Sequence, residues 1–285
     1  MQFESFLQQH EIALRLSAFF GILLLMALWE RRRPCRTPKL SILLRWTNNL
    51  GLVIVNSVLL RWLFPTAAVG VAALSAEQGW GVLHYYAVNH PLAIFLSIIA
   101  LDGIIYLQHV MVHAVPLLWR IHRVHHADPD FDVTTGSRFH PIEIILSMLI
   151  KFASILVLGP PVVAVILFEI ILNGMAMFNH SNITLPSRID KVLRILFVTP
   201  DMHRVHHSVE EDETNSNFGF NLSLWDRMFG TYKTQPRLGQ KDMVIGILGH
   251  QDPKSVTWLS GLLLLPLRPV ANQYTINRRH WEQSE

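Results

Sequence analysis

The sequence predicts an all-α protein: a multi-pass transmembrane helical domain with a cytoplasmic helical cap in which histidine is concentrated. Three observations predict it. The chain is 51% hydrophobic and 16% charged, with a mean hydropathy of +0.31, against roughly 25% charged residues in a soluble globular protein. Its apolar residues fall in runs of membrane-crossing length. Ten of its fifteen histidines lie between positions 109 and 207, and the pentapeptide His-Arg-Val-His-His occurs twice, from His122 to His126 and from His203 to His207.

The elements follow in order. Ile12–Trp29 is apolar apart from Arg15. At 1.5 Å per residue it covers about 27 Å, enough for a thin hydrocarbon core with Arg15 snorkelling outward. The Glu4 and Glu11 carboxylates, and the lack of a small-residue cleavage site, are unlike a cleaved signal peptide. Arg31, Arg32, Arg33, Arg36, Lys39 and Arg45 then make a basic loop that the positive-inside rule places in the cytoplasm. Within it, Cys35 reads as a chance juxtamembrane cysteine or an acylation site. Leu50–Phe64 returns across the membrane, and the continuation to Ala76 reads as a short second helix on the outer face. No Lys or Arg lies between Glu77 and His90. Pro91–His113 crosses back, carrying His109 roughly 27 Å and His113 roughly 33 Å along, to the cytoplasmic boundary.

The apolar stretch from Ile142 to Phe178 is too long for one crossing, and Gly159-Pro160-Pro161 divides it into a helical hairpin. Lys151 and Glu169 lie nine and eight residues from this break, at equal depth on opposite arms, where they can pair. His140 precedes the hairpin and His180 follows it, so all ten histidines reach one face. Trp258–Leu267 is apolar but short and carries Pro266, as an interfacial anchor would. Three regions result: N-terminal transmembrane helices with their loops (1–90), a histidine-bearing domain (91–235), and an interfacial or cytoplasmic tail (236–285). A single cysteine excludes intramolecular disulfides, Cys-rich zinc modules and Cys-ligated iron–sulfur clusters. The net charge of +3 comes from locally clustered basic residues, which excludes a nucleic-acid face.

On a helix, residues at i, i+3 and i+4 share a face. His109 and His113 therefore project together, with Asp102 and Tyr106 on the same stripe, and each pentapeptide presents three histidines to one side. Histidine is the commonest metal-ligating side chain. One first-row ion takes four to six ligands, so ten histidines suit two ions: His109, His113, His122, His125, His126, His140, His180, His203, His206 and His207 as the ligands of a histidine-rich dimetal site. Imidazole suits zinc, copper, iron and nickel alike. The His-Glu-x-x-His motif of zinc hydrolases and its reverse are both missing. Ligation needs neutral imidazoles, so such a site releases its metal in acid.

His109-x-x-x-His113, His122-x-x-His125-His126 and His203-x-x-His206-His207 resemble the three histidine boxes of the sterol desaturase/fatty acid hydroxylase superfamily. Flanking residues agree: Asp102-x-x-x-Tyr106, Trp119, the Arg138–Glu143 run, Asn179-His180-Ser181-Asn182, Asn217-Phe218-Gly219 and the Trp225–Tyr232 run. The resemblance covers about residues 90–235 and implies a membrane-bound non-haem di-iron oxygenase. Two irons per chain are implied, with zinc as a substitute ion and O₂ as co-substrate. Such an enzyme hydroxylates or desaturates an unactivated C–H bond of a lipid drawn from the bilayer.

Ligating imidazoles need partners for their outer nitrogens, and Asp102, Glu143, Asn179, Asp201 and Asp226 stand near the boxes. Asp201 after Pro200 reads equally as a helix N-cap, whereas a carboxylate inside an apolar helix, as at Asp102, is costly and usually functional. Arg123 and Arg204 are read as facing solvent or lipid phosphate, and His10, His84, His90, His250 and His280 as surface histidines. No dinucleotide fingerprint is present, so electrons are expected from a separate donor of ferredoxin or cytochrome b5 type. The expected location is a bacterial inner membrane, or the endoplasmic reticulum of a eukaryote. Two other readings of the histidines stay open: a bis-histidine haem protein that only passes electrons, and a metal transporter or store.

Overall fold

The structure, a computed structural model, describes residues 2–250 and 252–269. His280 and the end of the 236–285 tail lie outside the described residues. These are helical throughout, with no β-strand and only isolated bridges among them. A short α1 (Gln2–Gln9) leads into α2 (Glu11–Arg32), α3 (Ile42–Leu63), α4 (Ala67–Gln78) and α5 (Val82–Tyr85). Then come α6 (His90–Ala114), α7 (Pro116–His126) and the hairpin of α8 (Pro141–Leu158) and α9 (Val162–Asn179). Short helices complete the cap: α10 (Ser187–Leu193), α11 (Pro200–His206), α12 (Glu211–Thr214), α13 (Leu224–Met228), α14 (Gly239–Asp242), α15 (Pro253–Val256) and α16 (Leu259–Leu264).

Among the described residues, five helical segments are long and apolar enough to cross a membrane: α2, the α3–α5 run, α6, α8 and α9. With 22 residues, α2 is about 33 Å long. Only 6% of its apolar window is buried, so Phe20, Leu24 and Leu25 turn outward, as lipid-facing side chains do. The helix starts are written in the sequence. Asn89 caps α6 through Leu92 N–H and Thr199 caps α11 through Met202 N–H, each with a proline in the first turn, where its missing N–H costs nothing.

The hairpin is the centre of the bundle. Gly159 turns it with φ +68°, a conformation that favours glycine, and ends α8. Leu101 and Ile105 of α6 pack on Phe168 of α9, and Met26 of α2 packs on Met177 near its other end. The small residues Ala68 and Ala72 let α4 approach Ile155 and Val165. This helix lies against the hairpin, because its alanine side finds a buried partner there.

Charged groups join the elements. Lys151 Nζ lies 2.5 Å from Glu169 Oε1, so the two arms do pair across the hairpin. Arg15 differs from the snorkelling expectation: it also pairs with Glu169, because a buried carboxylate offers more than the lipid interior does. Arg45 belongs less to the basic loop than to the interior. It donates to Asp128 from Nε and Nη2, at 2.9 and 2.7 Å, and pairs with Asp132, clamping the loop after α7 onto α3. Glu30 Oε1 accepts from Val133 N–H and Asn182 N–H, fastening that loop and the one after α9 to the end of α2. Cys35 is buried, its N–H bonded to Asn182 O. The tail is also more than an anchor: Leu262 and Leu265 enter a core cluster with Leu52, Trp119 and Val124, while Leu264 and Leu267 stay exposed.

A candidate dimetal centre at one end of the bundle

α6 and α9 end, and α8 begins, at the same end of the bundle, so alternation of chain direction collects their histidines there. His109 and His113 lie in the last turns of α6, His180 directly follows α9, and α7 and α11 carry the two pentapeptides. Nine of these histidines are buried and form two groups: His109, His113, His122, His126 and His206, and His125, His180, His203 and His207. Each repeat is divided. His122 and His126, one turn apart, join the first group and His125 the second; His203 and His207 join the second and His206 the first. The groups adjoin, with the His126 and His207 rings stacked 4.6 Å apart.

The donor set fits metal ions better than it fits a hydrogen-bond network. The Nε2 atoms of His125, His203 and His207 stand 3.1, 3.0 and 3.2 Å from that of His180. His180 Nδ1–H donates to Ala176 O at 2.7 Å, so in the neutral ring Nε2 is one lone pair, which cannot accept three donors at once. A metal at about 2.0–2.1 Å from each nitrogen puts adjacent ligand atoms about 2.9–3.4 Å apart in tetrahedral or octahedral shells, and the observed spacings fall inside that interval. In the first group, His113 Nε2 and His126 Nε2 are 3.1 Å apart. The buried Nε2 atoms of His122 and His206 meet no hydrogen-bond partner.

Outer nitrogens set the ring orientations. His109 Nδ1 donates to Phe218 O at 2.8 Å, His206 Nδ1 to Ser216 O at 2.7 Å and His122 Nδ1 to Glu143 Oε1 at 2.6 Å. His113 Nδ1 faces Asn215 Oδ1 at 3.2 Å. Burial, then the neighbouring imidazoles, hold His125, His126, His203 and His207 well below the usual histidine range, and burial pushes His180 and His206 down to about 3. These six rings are therefore neutral at pH 7, the ligating form.

His140 stands apart from both groups. With Pro141 after it, it becomes the N-cap of α8, its Nδ1 accepting from Ile142 N–H and its Nε2 turned to Leu263 O. Of the acidic and polar candidates, Glu143 alone touches a clustered histidine through its side chain. Asp102 accepts from Trp225 Nε1–H and Leu222 N–H, at 2.9 and 3.2 Å. Asp226 accepts from Phe218 N–H and Gly219 N–H, and burial raises its carboxyl to about 6. Tyr106 hydroxyl meets Thr231 Oγ1 at 3.0 Å. These three hold the 217–231 segment whose Phe218 carbonyl orients His109. Asn179 Nδ2–H donates to Phe220 O in the same segment. Asp201 pairs with Arg204 at 2.7 Å, and Thr199 caps the helix in its place.

The two pentapeptide arginines correct the solvent-facing expectation. Both are 0% exposed. Arg123 donates to Leu265 O and Arg268 O, at 2.5 and 2.6 Å, and Arg204 to Gln240 Oε1 and Ile183 O. Each ties a histidine helix to chain arriving from elsewhere, and no local pattern announces those carbonyls. Asn215 was also unmarked, and Phe139, within the Arg138–Glu143 run, stacks on His125 at 4.5 Å. Gly136 is a close approach: a Cβ there would stand 2.4 Å from Ala176 O and 3.1 Å from His180 Nδ1. Of the histidines read as surface residues, His10, His84 and His90 are exposed and His250 is half-buried.

A cavity of about 420 Å³ runs from His109, His122 and Glu143 between α2, α3, α6, α8 and α9 to Arg15, Lys151 and Glu169. It gives the first histidine group access to the bundle interior.

Residues 94–231 match the fatty acid hydroxylase family model. The chain is similar to the ornithine lipid hydroxylase OlsE of Rhizobium tropici, 30% identical over 190 residues that make up 65% of this chain and 54% of that protein. It is similar to the alkylglycerol monooxygenases of Xenopus tropicalis (31% identical; 57% of this chain, 34% of that protein) and Homo sapiens (27%; 52% and 32%). The chain thus spans about half, or about a third, of the length of these relatives. No solved structure matches it. Residues 94–231, the stretch similar to the fatty acid hydroxylase family, contain all nine clustered histidines.

Proposed function

We propose that this protein is a membrane-bound di-iron oxygenase that hydroxylates or desaturates a C–H bond of a lipid. The observation that carries the proposal is the convergence of nine buried histidines in two adjoining groups beside a cavity that enters the membrane-spanning bundle. The relatives' names, a lipid hydroxylase and a monooxygenase, support the same class. For hydroxylation the balance is R–H + O₂ + 2H⁺ + 2e⁻ → R–OH + H₂O. Desaturation takes the same O₂ and electrons, removes two hydrogens from the lipid and forms two waters.

Two irons, with zinc as a substitute, would be held by His109, His113, His122, His126 and His206 and by His125, His180, His203 and His207. Bound iron supplies the activation of O₂ that an unactivated C–H bond requires. The chain supplies position. Glu143 fixes the His122 ring, Phe218 O fixes His109, and the apolar walls of the cavity order the substrate and keep bulk water away. Electrons come from a separate carrier of ferredoxin or cytochrome b5 type. The exposed Arg31, Arg32, Arg33 and Lys39 lie at the histidine end, which supports a cytoplasmic metal site by the positive-inside rule. That membrane is the inner membrane of a bacterium or the endoplasmic reticulum. Residues 91–235 form the catalytic region.

Comparative lipidomics tests this. Cells expressing the intact protein should contain a lipid heavier by one oxygen, or lighter by two hydrogens, that is missing with His125→Ala. No such lipid under air with a working reductant would overturn the proposal.

A further inference from the structure

The cavity is polar at the end away from the histidines. Arg15, Lys151 and Glu169 line it there, Glu169 only 8% exposed. Charges within membrane-crossing helices are costly and mark functional sites by default. A hydrocarbon tail alone would leave these groups facing methylenes. Two acceptors reinforce the point. Asn56 Oδ1 and Gln108 Oε1 are buried on the cavity wall without a hydrogen-bond partner. The Asn56 amide is oriented by its Nδ2–H, which donates to Phe139 O at 2.9 Å, so its oxygen is the free end. An unsatisfied buried acceptor costs about 1–3 kcal/mol, a cost removed by a ligand with N–H or O–H donors. Arg15 pairs with both Glu169 and Glu11 and Lys151 with Glu169, so the cluster offers two cations and two carboxylates, charges of both signs to a polar head.

We propose that this chamber binds the polar head of an amphipathic lipid, taking its charged groups at the Arg15, Lys151 and Glu169 cluster and its N–H or O–H donors at Asn56 and Gln108. The site deepens the lipid-oxygenase reading and rests on it for its catalytic consequence. Glu143, at the histidine end, and Lys151 are eight residues apart on α8, about 12 Å. The carbon presented to the histidines therefore lies within about 12 Å of the head, and not at the far end of a long chain.

The test is equilibrium binding to the full-length, metal-loaded protein in neutral maltoside micelles. The probes share one chain length: Nα-lauroyl-lysine (carboxylate and ammonium), lauric acid (carboxylate) and dodecanol (neutral). Nα-lauroyl-lysine should bind at least about tenfold more tightly than dodecanol, with lauric acid between. Asn56→Leu should weaken Nα-lauroyl-lysine several-fold and leave lauric acid unchanged. The double variant Lys151→Met with Glu169→Gln, which leaves no unpaired buried carboxylate in the hairpin, should erase the preference of both acids over dodecanol. Equal affinities of the intact protein for the three probes would overturn the chamber. So would an unchanged preference in variants with full metal content and melting temperature. Head-selective binding without oxidation of any lipid would refute the oxygenase reading and leave the chamber. Lipid oxidation without head selectivity would do the reverse.

Discussion

At the scale of single residues, histidine spacing carries the most information and arginine the least. The His-x-x-His-His pattern was legible as a ligand group because helical geometry places its members on one face. Its division was not: the pair one turn apart reaches one group and the intervening histidine the other, which depends on where α7 and α11 face each other. His140 shows the same limit, since the proline after it makes it a helix cap, with the ring turned to Leu263 O. The buried arginines of the repeats were hidden because most of their partners lie far away in sequence, Leu265 O and Arg268 O for Arg123 and Gln240 Oε1 and Ile183 O for Arg204, although Asp201 is close to the latter. Glu143 is the residue to test. Through His122 Nδ1 it fixes the ring of a first-group histidine. Glu143→Leu should weaken metal binding by the first group about 10–100-fold, read by chelator competition, and Glu143→Gln, which keeps an oxygen acceptor, should recover part of it. Equal affinity of the intact protein and Glu143→Leu would remove that role.

Among the elements, the hairpin was the most legible, because Gly159-Pro160-Pro161 can only break a helix and Lys151 and Glu169 share a depth on its two arms. α4 and the tail were less so. Their apolar residues say that they are buried, but the partners, Ile155 and Val165 for one and Leu52 and Trp119 for the other, come from segments distant in the chain. Gly136 belongs to this scale, since it lets the loop after α7 lie against the end of α9. Gly136→Ala should displace Ala176 O and the His180 ring and so disturb the second group first. One metal of two should be lost while the first group keeps its own, as measured by metal content and by which site's spectroscopic signature survives. Retention of both metals, with unchanged spectra, would show that the contact is slack.

For the whole molecule, a membrane bundle with its histidines at one end follows from alternating helix direction and could be read from apolar run lengths alone. Its pH behaviour follows from burial of the same histidines. In the metal-stripped protein, the unfolded chain takes up protons below about 6.5, the ordinary imidazole value, while His180 and His206 resist until about 3. The unfolded state therefore binds more protons across that interval, and stability rises with pH. The melting temperature of the stripped protein should fall as pH drops from 7 to 5, and the loaded protein should release metal over the same range. A stripped protein whose melting temperature is flat or rises on acidification would contradict this electrostatic picture.

The central claim is that the nine histidines form two metal sites, and elemental analysis of the purified protein with its optical spectrum tests it most directly. The account predicts two metal ions per chain, mainly iron, and no Soret band. One ion or none per chain in fully folded, iron-supplemented protein, or a Soret band from bis-histidine haem, would contradict it.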